Sequence, residues 1–148
     1  TVAHQRAAAE WTAKWPDRVA VRIGYDEGLA HRIQAGSDLF LMPSKSEPCG
    51  LSHRYALRYG TVPVVHRVGG LRDTIENLSE DGRTGNGIAF EQYTAEALLA
   101  AVQRAVKMWR NRQLWAKIMV RVMAEDHGWD EPARRYLEAY ERALQRRR

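Results

Sequence analysis

The apolar run Leu39-Phe40-Leu41-Met42-Pro43 passes directly into Ser44-Lys45-Ser46-Glu47-Pro48-Cys49-Gly50-Leu51-Ser52. An apolar strand that ends in a turn of small residues, an acid and a glycine, and then opens a helix, is a ligand-binding arrangement. The glycine lets a ligand approach the backbone, and the free amides of the first helical turn bind anionic oxygens. The same order recurs downstream, where Val62-Pro63-Val64-Val65 runs into Arg67-Val68-Gly69-Gly70-Leu71. Strands alternating with helices predict an α/β fold, a parallel sheet covered on both faces. In such sheets ligands sit beyond the carboxyl ends of the strands, so the two glycine turns are expected to line one crevice.

The remaining elements follow from local pattern. Residues 3–15 predict a helix leading to a loop at Trp15-Pro16-Asp17, and Val19-Ala20-Val21-Arg22-Ile23 predicts a strand broken by Gly24. A short helix through Leu29 and Ile33 ends at Gly36, and a helix from Leu51 to Tyr59 ends on Gly60 as its cap. Residues 80–87 predict a loop, and Ile88-Ala89-Phe90 a last short strand. Beyond Phe90 the chain reads as helical. Leu98, Val102, Val106 and Trp109, then Leu114, Ile118 and Val122, then Tyr136 and Tyr140, recur at helical spacing, and the Met and Trp residues of this stretch are expected in the core rather than at a cofactor. Three or four strands are fewer than the about five or six of a doubly wound sheet. The expectation is a Rossmann-like three-layer parallel sheet without its first strand units, one partial domain over 1–148, with a helical segment over 94–148.

A chain of 148 residues supports one buried core and is too short for two ordinary domains. Its 23 basic and 18 acidic residues leave a net charge of +5, which raises nucleic acid as a partner. The basic residues are dispersed, the dense run Arg146-Arg147-Arg148 is at the chain end, and aromatics are not interleaved with them, so no nucleic-acid surface is expected. No apolar run approaches the ~20 residues that span a bilayer, and no signal-peptide series is present. The chain starts at Thr1, which suggests a processed product or an excised piece. Cys49 is the only cysteine, which excludes an internal disulfide and a cysteine zinc cluster and fits a reducing compartment. His4, His31, His53, His66 and His127 show no metal-ligand spacing, and no nucleophile-elbow sequence occurs.

Glu47 carries the chemistry that the turn allows. It can orient hydroxyls, act as a base or stabilise positive charge in a transition state. Equally, an acid near a helix start is favourable through the macrodipole alone. The bare backbone at Cys49-Gly50 favours the ligand reading. The amides of Gly50, Leu51 and Ser52, with the Ser52 hydroxyl, then form an anion site for which pyrophosphate is the natural ligand. Gly69-Gly70 with Asp73-Thr74 adds little on its own.

Ser-x-x-Glu-Pro-Cys-Gly-Leu-Ser, followed by Arg58-Tyr59-Gly60-Thr61-Val62-Pro63-Val64-Val65 and Gly69-Gly70-Leu71-Arg72-Asp73-Thr74, resembles the C-terminal domain of bacterial glycogen synthases and plant starch synthases. The likeness extends upstream through Ile23-Gly24-Tyr25 and Ala35-Gly36-Ser37-Asp38, and downstream through Gly87-Ile88-Ala89-Phe90 to Trp129 and the last helix. It implies the donor-binding domain of a GT-B enzyme, a retaining, metal-independent glycosyltransferase without a cofactor. Such an enzyme moves glucose from ADP-glucose to the non-reducing end of an α-1,4-glucan. By resemblance, Glu47, Cys49 and Gly50 hold the glucose hydroxyls, and Leu51 and Ser52 bind the pyrophosphate. Tyr25 lies against the adenine, and Gly69, Gly70 and Leu71 form the adjoining wall.

The family's N-terminal acceptor domain and its first donor-domain unit, with a phosphate-binding arginine and lysine, have no counterpart in these residues. The chain alone is therefore expected to be inactive. His53-Arg54 stands where the family has Gln and an apolar residue. The pair either substitutes for phosphate-binding cations or is simply two exposed side chains. Ser46 replaces a common aromatic, and His127-Gly128 an aromatic-serine pair. Other readings are a non-catalytic nucleotide-binding remnant or interaction domain, and a related two-domain enzyme such as a sucrose or trehalose-phosphate synthase or a nucleotide-sugar epimerase. The expected compartment is the bacterial cytoplasm, with the plastid as alternative. An unpaired strand edge would favour dimerisation.

Overall fold

The computed structural model describes residues 2–146, and the end of the terminal arginine run, Arg147 and Arg148, lies outside them. The chain divides into two compact units, Thr1–His31 and Arg32–Arg148.

In the first unit, α1 (Val2–Lys14) buries none of its residues. Its Thr12 hydroxyl donates to the Ala8 carbonyl, and a turn closes on Trp15, whose carbonyl accepts from Arg18 and Val19. Val19–Ile23, predicted as a strand, belongs to no sheet among the described residues, and Val21 and Ile23 are exposed. Their β-branched side chains suit an extended backbone, but a strand exists only where a neighbour completes its hydrogen bonds. Asp26 then caps α2 (Glu27–Ala35), its carboxylate accepting from the Leu29 amide at 2.9 Å.

The second unit holds a three-stranded parallel sheet ordered β1 (Leu39–Met42), β2 (Val62–His66), β3 (Ile88–Phe90). Leu39 pairs with Val62 and Met42 with Val65, while Val64 pairs with Ile88 and His66 with Phe90. Every residue of β2 is buried, and because successive residues face opposite ways, helices or loops must cover both faces. At the edge strand β1, Leu41 is half exposed. Between the strands, α3 (Leu51–Arg58) packs on β1 and β2, and α5 (Ala95–Arg110) on β2 and β3. Helix α6 (Arg112–Met123) packs against both α3 and α5. Leu57, Val62, Val64, Leu71, Ile88, Ala105, Ile118 and Val122 are fully enclosed in this core.

Two details depart from the periodic reading. On α5 the fully buried line is Ala101, Ala105 and Met108, with Leu98, Val102 and Trp109 half-buried beside it. Alanine lets the helix backbone approach the sheet, so the small residues take the deepest positions. On α7 (Asp130–Gln145) nothing is buried, and Tyr136 and Tyr140, at helical spacing in the sequence, are exposed with their rings 6.4 Å apart. A regular apolar spacing identifies a face, not what covers it. The short α4 (Gly70–Thr74) follows the second glycine turn.

Candidate functional site

The two glycine turns meet at the carboxyl end of the sheet and are fastened to each other. Gly50 opens α3 with φ +69° and ψ +50°, a left-handed conformation, and no side chain caps the helix. The turn is instead held from upstream. The Gly50 amide donates to Glu47 Oε1 at 3.0 Å, and the Ser44 hydroxyl donates to Glu47 Oε2 at 3.4 Å. The carboxylate therefore pins the turn, leaving the amides of Leu51 and Ser52 with no partner inside the helix.

The second turn docks by its backbone. The Gly70 amide donates to the Glu47 carbonyl at 3.0 Å. Gly69, at φ +51° and ψ −135°, sits so close that a Cβ there would lie 2.0 Å from the same oxygen. Only glycine permits this approach.

Glu47, Cys49, Gly50, Leu51, Ser52, Gly69, Gly70 and Leu71 are thus brought together as the alternation of strands and turns predicted. Cys49, Leu51 and Ser52 are exposed, Glu47 is half-buried, and Gly50 and Leu71 are buried. Tyr25 belongs to the first unit, where it is 92% exposed on the loop between Gly24 and α2. Among the described residues no group of three or more His, Cys, Asp and Glu is placed to hold a metal ion. No helix among them is long and apolar enough to cross a membrane.

The pair His53-Arg54 behaves unlike either sequence expectation. His53 is fully enclosed, and neither ring nitrogen has a hydrogen-bond partner. Its ring fills the space over Gly50, where a Cβ would stand 2.7 Å from Nδ1 and 3.0 Å from a Leu71 methyl. Burial first, then the charges of Arg54 and His127, push its pKa down to about 4, with Glu47 acting in the opposite sense. At neutral pH the ring is uncharged packing, not a phosphate-binding cation. Arg54 alone keeps the charge, in a groove it shares with Tyr55, Arg58, His127, Trp129 and Tyr136.

Sequence reasoning passed over His66, the last residue of β2, because it was weighed only as a metal ligand. Its ring is almost fully buried between Phe90 and Tyr93. Nδ1 lies 2.8 Å from the Ser44 carbonyl and Nε2 lies 3.2 Å from the Glu91 carbonyl. The signal was its position: one register step before the second glycine turn, on the central strand.

The sequence profile described as "Glycosyl transferases group 1" matches residues 18–119. The chain belongs to this family. Among curated relatives of this group 1 glycosyltransferase domain, the glycogen synthase of Anaeromyxobacter dehalogenans is 55% identical over 138 residues, 93% of this chain and 29% of that protein. The glycogen synthase of Koribacter versatilis is 48% identical over 89% of this chain and 27% of its own. The catalytic domain of starch synthase IV from Arabidopsis thaliana, solved with ADP and acarbose bound, superposes with a TM-score of 0.84 at 33% identity. That match covers 96% of this chain and 30% of the other. A sucrose-phosphate synthase from Thermosynechococcus elongatus gives 0.63 at 25% identity, over 97% and 35%. The domain thus spans less than a third of the curated relatives it matches, and its three parallel strands with flanking helices are those of the GT-B fold.

Proposed function

We propose that residues 1–148 are part of the donor-binding domain of a retaining glycosyltransferase that moves glucose from ADP-glucose to the non-reducing end of an α-1,4-glucan. One observation carries this most directly. The acid at Glu47 and the uncapped first turn of α3 are locked into a single rigid unit by the Gly50 amide and the Gly70 amide. In this reading the Leu51 and Ser52 amides, at the positive end of the helix, take the diphosphate and stabilise the charge that leaves with ADP. The remaining lone pairs of the Glu47 carboxylate and the Cys49-Gly50 backbone hold the glucose hydroxyls beside an oxocarbenium-like centre. Tyr25 lies against the adenine, and Gly69, Gly70 and Leu71 wall the sugar. The glycogen synthase relatives and the ADP-bound starch synthase support the choice of donor.

The acceptor-binding domain and further phosphate-binding cations belong, in this reading, to the rest of a longer protein working in the bacterial cytoplasm. Transfer then needs no metal or cofactor, and a chelator leaves the rate unchanged.

The test uses the full-length protein, with glucose incorporation from ADP-glucose into glycogen as readout. Glu47→Gln keeps an oxygen to accept from Gly50 but removes the charge, so it separates the turn's structure from its chemistry. A loss of at least about a hundredfold in kcat with unchanged thermal stability is expected. Absence of ADP-glucose-dependent elongation by the wild type, or full activity of the Gln variant, overturns the reading.

A further inference from the structure

We propose that His66 is a positioning residue that works as an imidazolium, fastening the turn that carries Glu47 to the end of β3. The argument starts from the two atoms its ring nitrogens face. Both are carbonyl oxygens, of Ser44 at 2.8 Å and of Glu91 at 3.2 Å, and a carbonyl can only accept. A neutral imidazole has one N–H, so it satisfies one carbonyl and turns a lone pair toward the other. A ring with both protons donates to both.

The two carbonyls belong to different segments. Ser44 begins the turn after β1, and its hydroxyl also reaches Glu47 Oε2. Glu91 follows β3 directly, and its carboxylate pairs with Arg67 at 3.0 Å, next to His66 on the chain. The ring thus ties the turn holding Glu47 to the far strand of the sheet, across β2. Phe90 and Tyr93 pack their rings 5.5 and 5.1 Å from its centre and limit its rotation. The charged groups on the surrounding segments are Lys45 and Glu47 after β1, Arg67 beside the ring, and Glu91 after β3, with Tyr93 the nearby phenol. The Arg67–Glu91 pair satisfies its own charges, so the two carbonyls are the acceptors left to the ring's N–H groups.

This inference rests on the glucosyl-transfer reading for its effect on rate, but not for the state of the ring. In the full-length protein with histidine-selective 15N labelling, the His66 signal is identified by its loss in His66→Gln. Both ring nitrogens are expected to resonate as N–H at about pH 6. For kinetics, His66→Gln is expected to lower kcat about tenfold with the KM for ADP-glucose changed less than about twofold. His66→Arg, which keeps two donors and a permanent charge, is expected to recover most of that loss. The wild-type rate should depend on pH more steeply than that of the Arg variant, whose charge is permanent. Recovery by Arg also separates a positioning role from a fold that simply needs a ring there. A ring with one unprotonated nitrogen at about pH 6, or superimposable pH profiles for wild type and Arg variant, overturns the proposal. Wild-type protein that moves no glucose would sink the donor reading alone, and the ring spectra would still decide this one.

Discussion

His53 stands in the first turn of α3 with no solvent exposure, and its burial has a thermodynamic consequence at acid pH. Unfolded, a histidine titrates near 6.5; folded, this one is held near 4 by burial, with Arg54 and His127 adding to the effect. Between those values the unfolded chain binds more protons than the native one. His53's share of the stability is complete above about pH 6.5 and is lost as pH falls toward about 4, by roughly 3 kcal/mol at most. Denaturant unfolding of wild type and His53→Gln across this range should show the wild type losing stability more steeply. Parallel curves would mean that the native ring is protonated after all. At the residue scale this is also where sequence reasoning stopped short. A histidine after Leu51-Ser52 reads as surface or phosphate ligand, because burial depends on the empty space that Gly50 leaves above it. No local pattern contains that space.

At the scale of elements, the site is a joint between two strand–turn–helix units, and the joint is made of backbone. The Gly70 amide and the Glu47 carbonyl form its hydrogen bond, and Gly69 allows the two chains to come within reach. Gly69→Ala places a methyl 2.0 Å from that carbonyl in a backbone conformation closed to alanine, so one turn must move. The expected cost is about 2–4 kcal/mol in unfolding free energy, together with, on the proposed function, loss of glucosyl transfer by the full-length protein because Glu47 shifts with its carbonyl. Equilibrium unfolding and the glycogen assay would measure the two effects separately. Gly70→Ala meets the Pro48 carbonyl at 2.8 Å and should be the milder change.

These units were legible because their signals are local. An apolar run followed by glycine, at Leu39–Met42 and again at Val62–Val65, marks a buried strand and the turn that ends it. The convergence of the two turns followed from parallel topology alone. Val19–Ile23 differs for the opposite reason: its composition is that of a strand, but no neighbour among the described residues completes its hydrogen bonds. His66 escaped notice because its role depends on two carbonyls, 22 and 25 residues away in sequence.

Over the whole molecule, burial is concentrated in the middle of the chain and thins toward both ends. The enclosed core runs from Ala56 to Val122, whereas neither α1 nor α7 buries a single residue. Yet α7 carries Tyr136, Leu137, Tyr140 and Leu144, each more than half exposed, and Trp129 just before it is 76% exposed. A 16-residue helix with no buried face relies on its own hydrogen bonds, and it is little longer than the ~12–15 residues below which isolated helices are marginal in water. The ion pairs of Glu131 with Arg134 and Arg135 in its first turns are exposed and screened, so they add little. Opening of α7 should therefore be local, well below the free energy of unfolding the sheet. Hydrogen exchange on the 148-residue chain should show α7 amides exchanging at least about a hundredfold faster than those of β2, with α5 and α6 close to β2. The same measurement on the full-length protein reads how far the rest of that protein protects the Tyr136–Tyr140 face. Equal protection of α7 and β2 in the chain alone would mean that a second copy covers the face, and the exchange rates would then depend on protein concentration.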